Sequence, residues 1–514
     1  TVNSAGGDIS LVAIKGTSVE DVTLNAAAGN VTVGEIGAAA AEINAVAITG
    51  TTINLGGDIN TSGAGNNVGL TGAVVLTGAV TIDTDAGNGT VTLSSTLDGA
   101  QDFDISSGTG AVRITGATGA TTALSSLDIN NAAGSGTIRV NNIGAGAAGV
   151  TNATRIGNAT TTQLTLDGTV YNANAQTYTA TAGGQVIDLT NAAGVTFTAT
   201  ADAITFATGT VDMADGSNLV VNSAGGNISV AGIAGASVED VTLNAAAGNV
   251  TVGAIGAADG QINDVTITGA TINLGGFSTT DDDGAGEGGD VDINGNVILT
   301  AAVTIDTSDA GGAVDGTFNI SGTVDGAFDL DIITDSAIAG IVGVIGGTTA
   351  LATLDINKTD GAGNTGAVTI SNNIGTTIAA GVTGALEIGN ANTSPLTLAG
   401  TVYNANAATY DAVAGTNISL SAAADVTFTS SNDAITFGTA NILLADGSDL
   451  VVTSGAGAGN IGVVAITGTS VEDVTLNAGT GNVTVGLIGV AAAQINDVTL
   501  SGTTITLNGN INTD

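Results

Sequence analysis

The chain repeats itself, and that narrows its folds more than any single motif. The stretch 18–34, SVEDVTLNAAAGNVTVG, returns at 237–253 and, slightly altered, at 470–486. Long internal repeats of this kind write solenoids or arrays rather than one folded globule. Within the stretch, Val22 and Leu24 alternate with Thr23, and Val31 and Val33 with Thr32. Each run therefore has the period-2 pattern of a strand with one buried face. The small residues between them, Asn25 to Asn30, read as a tight corner. Short strands and compact corners, continued over hundreds of residues, predict an all-β fold: a β-solenoid of stacked coils.

The repeat divides the chain into a first unit at 1–219, a second at 220–450 and the start of a third at 451–514. The distance between matched residues grows along the unit, from 219 at Gly57 and Gly276 to 223 at Ile82 and Ile305. It reaches 227 at Asp98 and Asp325 and 231 at Ile143 and Ile374. The extra residues enter Gly-, Asp- and Ala-rich corners such as Phe277 to Gly289, while the alternating segments keep their length. A rung must stay in register with its neighbours and a loop need not. Two or three strands would make a rung of roughly 20 residues, giving on the order of 25 rungs. Neither end carries the signature of a lid, so the reading expects the stack to continue, covalently or on another copy.

Composition removes several kinds of chemistry. There is no histidine, cysteine or tryptophan, so imidazole bases, thiol nucleophiles, disulfides and Cys/His zinc sites are excluded. Asp and Glu number 46 against five Lys and Arg, a formal charge of −41. Such a surface repels nucleic acid and anionic lipid, which need clustered cations to displace their counterions. No apolar run is long enough for a membrane-spanning helix, and direct membrane insertion is not expected.

Four groups of residues are candidates for a site. Asp281, Asp283, Asp290, Asp292 and Asn294 form an acidic cluster that is a candidate calcium site. Asp290, Asp292 and Asn294 before Gly295 have the spacing of the first half of an EF-hand loop, although position twelve is Ala301 rather than Glu. The Asp-Val-Asp-Ile-Asn alternation reads equally as a strand. No other cofactor is implied. Glu20-Asp21 recurs as Glu239-Asp240 and Glu472-Asp473. It reads either as a paired acid and base or as a polar corner of the coil. Tyr171, Tyr178, Phe197 and Phe206 recur as Tyr403, Tyr410, Phe428 and Phe437, either a sugar-stacking platform or filling for a wide section of core. The five basic residues, Lys15, Arg113, Arg139, Arg155 and Lys358, have no basic counterparts in other units: Arg139 aligns with Ile370 and Arg155 with Glu387.

The phrases at Gly29 to Gly34 and Thr52 to Thr61, Gly-Asn-Val-Thr-Val-Gly and Thr-Ile-Asn-Leu-Gly-Gly-Asp-Ile-Asn-Thr, resemble those of giant repetitive bacterial surface proteins. These are the filamentous-haemagglutinin-like and autotransporter-type adhesins. The resemblance implies a right-handed parallel β-helix, secretion to the bacterial cell surface, and a role in adhesion, cell–cell contact or matrix. The expectation is a non-enzymatic structural protein that forms the shaft of an extracellular filament, sheath or surface layer. Its partners would be further copies of itself or a longer chain. The alternatives are the stalk of an adhesin meeting other cell-surface molecules and, third, a β-helical polysaccharide enzyme.

Overall fold

The computed structural model describes residues 1–513 apart from 18, 39, 64, 148, 181–185, 237, 257–261, 278–287, 309–314, 359–364, 377–380, 456 and 470. The described residues are almost entirely strand and corner. Their parallel strands stack as a β-solenoid of about 19 turns. A turn is longer than the sequence pattern predicts, because each coil visits three walls and three corners. Its length also varies: Phe318 pairs with Ala339 on the next rung, whereas the chain travels much further between Leu354 and its partner Leu386. The contacts divide the chain into two compact units, Thr1–Thr251 and Val252–Asp514. The division falls inside the second sequence repeat, so repeat and compact unit are different partitions of the chain.

In the first unit the three walls are columns of side chains in register. The first runs Leu24, Ile48, Leu70, Leu93, Ile114, Val140, Leu166, Leu189 and Met213. The second includes Val31, Ile53, Val74, Leu97, Thr118, Ile143, Tyr171, Phe197 and Val221. The third runs Ile36, Ile59, Ile82, Ile105, Ile129, Ile156, Tyr178, Phe206 and Val230. These residues are buried, nearly all at 2% exposure or less. Like side chains on successive rungs lie about 4.8 Å apart, so aliphatic groups of one rung pack directly on those of the next. The second unit repeats the design, with Ile267, Ile293, Ile320, Ile341, Ile370 and Leu398 in its first wall.

Insertions leave this register intact. Ala45–Leu55 pairs with Val68–Leu76 across a bulge between Thr49 and Thr52, and Val265–Leu274 pairs with Val291–Leu299 across the same bulge between Thr268 and Thr271. The bulge turns one strand from the first wall into the second. Gly72 and Gly295 sit at this turn with φ of 139° and 155°, where a Cβ would run into the carbonyl oxygens of Gly50 and Gly269. Glycine is required there by space as well as by dihedral. One sequence alignment is corrected by the strands. Val368–Ile370 pairs with Ala339–Ile341 just as Ile138–Val140 pairs with Val112–Ile114, so Arg139 corresponds to Thr369 rather than Ile370. The alternating in–out pattern of a strand fixes register where corner length does not.

Candidate functional site

The polar groups at the corners act between rungs. A corner leaves backbone N–H groups outside the strand ladders, and buried ones need acceptors. The repeated glutamate supplies them. Glu239 accepts from the N–H of Ala236 in its own corner at 2.6 Å and of Gly216 on the preceding rung at 2.8 Å. Glu472 does the same with Thr469 at 2.7 Å and Gly447 at 3.1 Å, and both glutamates are fully buried. Glu20 takes the N–H of Thr17 at 2.7 Å and its hydroxyl at 2.8 Å, but is exposed. The Thr17 backbone bond, then its hydroxyl, holds the Glu20 carboxyl below its ordinary value. The repeated Glu-Asp pair is thus a corner in which Glu239 and Glu472 staple one coil to the next, while Glu20 closes its own corner.

Other corners use aspartate and asparagine. The Oδ1 atoms of Asp8, Asn227 and Asn460, equivalent in the three repeats, accept the N–H of Asn30, Asn249 and Asn482 at 2.7, 2.9 and 2.9 Å. Asp98 and Asp325 each accept two threonine N–H groups from the next rung at 2.8 to 3.0 Å. Inside the coil, Asn130 and Asn357 adopt φ of 48° and 55°. Each carboxamide there bonds both the N–H and the hydroxyl of the preceding rung's residue, Ser107 or Thr334. Asparagine tolerates this left-handed conformation while its amide pairs along the stack.

Asp290, Asp292 and Asn294 lie at the start of the strand Val291–Leu299, all exposed on its outward side. They are spaced along the strand by roughly 7 Å per pair, as alternate residues must be, and do not enclose a point as a loop would. Asp290 Oδ1 is engaged by the Thr317 N–H at 2.7 Å and hydroxyl at 2.8 Å. Asp281 and Asp283 lie outside the described residues. Among the described residues no group of three or more Asp or Glu is placed to hold a metal ion.

The aromatic residues fill the core. Tyr171 stacks on Phe197 with centroids 4.8 Å apart, and Tyr178 on Phe206 at 5.4 Å. The second unit has Tyr403 on Phe428 at 4.7 Å and Tyr410 on Phe437 at 5.4 Å. All eight rings are buried, and burial raises the ionisation of all four tyrosines well above the ordinary value. The Tyr171 and Tyr403 hydroxyls each accept a glycine N–H at 2.8 Å, from Gly168 and Gly400. The quartets differ in the partners of their hydroxyls, most of all at the second tyrosine. Tyr178 donates to Gln176 Oε1 at 2.9 Å, whereas Ala408 stands in the place of Gln176 and the Tyr410 hydroxyl has no partner among the described residues. These rings present no face to a ligand.

Four of the basic residues make ion pairs across rungs, among them Arg155 with Asp128 at 3.3 Å, Lys358 with Asp411 at 3.8 Å, and Arg139 with Asp167. Lys15 reaches Glu35 at 3.9 Å, while Arg113 has no carboxylate within ion-pair reach among the described residues.

No family model, curated protein or solved structure matches the chain. What it can do must therefore be argued from its own geometry. Each distinctive group of the sequence, the repeated carboxylate, the aromatic quartet and the corner amides, is turned toward the neighbouring rung. The cross-rung use of these groups is invisible in sequence, because the partners are distant in the chain and their spacing differs from corner to corner. Among the described residues no helix is long and apolar enough to cross a membrane.

Proposed function

We propose that the chain is a structural, non-catalytic shaft: a segment of an extracellular filament, sheath or surface layer of the kind built by giant bacterial surface proteins of the filamentous-haemagglutinin-like or autotransporter type. One observation carries the reading. Side-chain acceptors at the corners are spent on backbone N–H groups of the adjacent coil, so carboxylates that could serve chemistry serve stacking instead. Each described rung adds parallel backbone pairing and buried columns to the rung below, and many add such a clamp. Stability of this kind is a sum of nearest-neighbour terms and scales with length, which suits an element that sets distance. The acidic exterior keeps copies apart at low ionic strength. Calcium enters this reading as an ion held between outward carboxylates rather than in an EF-hand loop.

Electron microscopy of the purified full chain tests the reading. Periodic fibres support a self-assembling filament, and isolated straight particles of constant width support a stalk within a longer surface protein. Compact round particles would refute both. Release of sugars from a panel of polysaccharides would refute the non-catalytic part independently.

A further inference from the structure

On the outward side of the first wall of unit one, five residues occupy a single column on successive rungs: Arg113, Arg139, Thr165, Asp188 and Asp212. The order of charge is plus, plus, neutral, minus, minus. Taken alone, both halves are unfavourable. Like charges directly opposite on neighbouring strands repel, and here they stand about 4.8 Å apart. The two arginines are neighbours although the chain has only five basic residues among 514. Arg113 lacks an ion-pair partner among the described residues, and Arg139 spends its Nε on Asp167, leaving other guanidinium N–H groups to donate. Burial pushes the carboxyls of Asp188 and Asp212 above their ordinary value, and Asp188 pushes Asp212 further.

Turned end for end, this column presents the opposite sign at every charged rung. We propose that the first wall of unit one is an interface with a second copy of this chain, the two columns antiparallel about a twofold axis through Thr165. Arg113 then faces Asp212 of the second copy and Arg139 faces Asp188 of the second copy, and the twofold repeats both contacts. This is the self-complementary pattern of an isologous dimer, in which residue i meets j and j meets i. Equal rung spacing in both copies brings all four contacts into place together. A slip of one rung in either direction halves them, and a parallel arrangement sets like charge against like, so charge fixes both register and direction. The pairing works against a charge of −41 on each copy. It is therefore strongest near 0.15 M salt, where a Debye length of about 8 Å screens the distant repulsion but not the contacts. It weakens in low salt and again at 1 M, where the length is about 3 Å.

Sedimentation equilibrium of the full chain reads the result as one or two masses of 48.7 kDa. The wild type is expected to dimerise at 0.15 M salt. Arg113→Asp with Arg139→Asp makes the column wholly acidic, and Asp188→Arg with Asp212→Arg makes it wholly basic. Each double variant alone is expected to dissociate at least about tenfold more readily, and an equal mixture to form a one-to-one heterodimer. Circular dichroism verifies that each variant is folded, and the mixture supplies a gain of binding that misfolding cannot imitate. A monomeric wild type across the salt series, a dimer indifferent to both swaps, or a mixture that stays dissociated overturns the proposal.

Discussion

The two aromatic quartets allow one substitution to be made twice with opposite expected sign. Tyr178→Phe and Tyr410→Phe each delete a single oxygen from a buried ring, with no change in the stacking that surrounds it. In the first unit the lost hydroxyl was bonded to Gln176 Oε1 at 2.9 Å, and Gln176 is itself 1% exposed. The deletion removes a hydrogen bond and strands a buried acceptor, costing about 1–3 kcal/mol. In the second unit the hydroxyl is buried without a partner among the described residues, and its removal relieves a desolvation penalty of about 1–2 kcal/mol. The two variants should therefore differ by roughly 2–5 kcal/mol, with Tyr410→Phe the more stable. A chain of two units is not expected to unfold in one step, so hydrogen exchange of peptides covering each quartet is the appropriate assay. Exchange should accelerate around Val170–Thr179 in Tyr178→Phe and slow around Ala407–Tyr410 in Tyr410→Phe. Equal slowing or equal acceleration at both places would refute the reasoning, because it would mean that ring packing alone governs these rungs.

The same logic extends to other positions. Thr118 is a buried member of the second wall whose hydroxyl has no partner among the described residues, and Ile345 holds the matching place in the second unit; Thr118→Val should stabilise by about 1 kcal/mol in urea unfolding. Gly72→Ala should destabilise by about 2 kcal/mol or more through the Gly50 carbonyl, while Gly69→Ala, with open space around it, should be neutral or stabilising by about 0.5 kcal/mol. Because the four tyrosines ionise only well above their ordinary value when folded, the stability they contribute is intact below about pH 10 and is lost as pH rises beyond it. Their ultraviolet absorbance should show no tyrosinate at pH 10, then appear together with unfolding. On the acid side, burial raises Asp83, Asp104, Asp188 and Asp212, and a carboxyl raised in the folded state gains stability as pH falls toward it. Glu20 and Asp102 act in the opposite direction, so the melting temperature should rise modestly from pH 7 to about pH 5.

The strands were legible in the sequence because their inward residues obey a period of two, and the stacking was legible because the phrase 18–34 recurs. Rung length was not. Corners carry no periodicity, and three of them per coil let a turn stretch from the short step between Phe318 and Ala339 to the long one between Leu354 and Leu386. Burial of the aromatic residues accords with their scarcity, and the change from Gln176 to Ala408 is visible in the aligned repeats; that Gln176 is the partner of the Tyr178 hydroxyl, and that Tyr410 lacks one among the described residues, required the structure. The repeated Glu20, Glu239 and Glu472 announced a designed corner without announcing its use. The cross-rung N–H groups that Glu239 and Glu472 accept depend on which residue the preceding rung places beneath them. The column from Arg113 to Asp212 was hidden for the same reason: its members follow one another at unequal intervals that no motif describes.

Everything rests on parallel coils lying one rung apart in register, and spin labels can measure that spacing directly. The chain has no cysteine, so pairs of introduced cysteines label cleanly. Thr81, Asp104, Asp128, Arg155, Thr177, Thr205 and Ser229 occupy one outward column of unit one. With one label at Thr81 and the other at Thr177, Thr205 or Ser229, the distance should be about 19, 24 and 29 Å, a step of about 4.8 Å per rung. Distances that do not lengthen in order, or that jump by the roughly 10 Å separating packed sheets, would contradict the stacked coil.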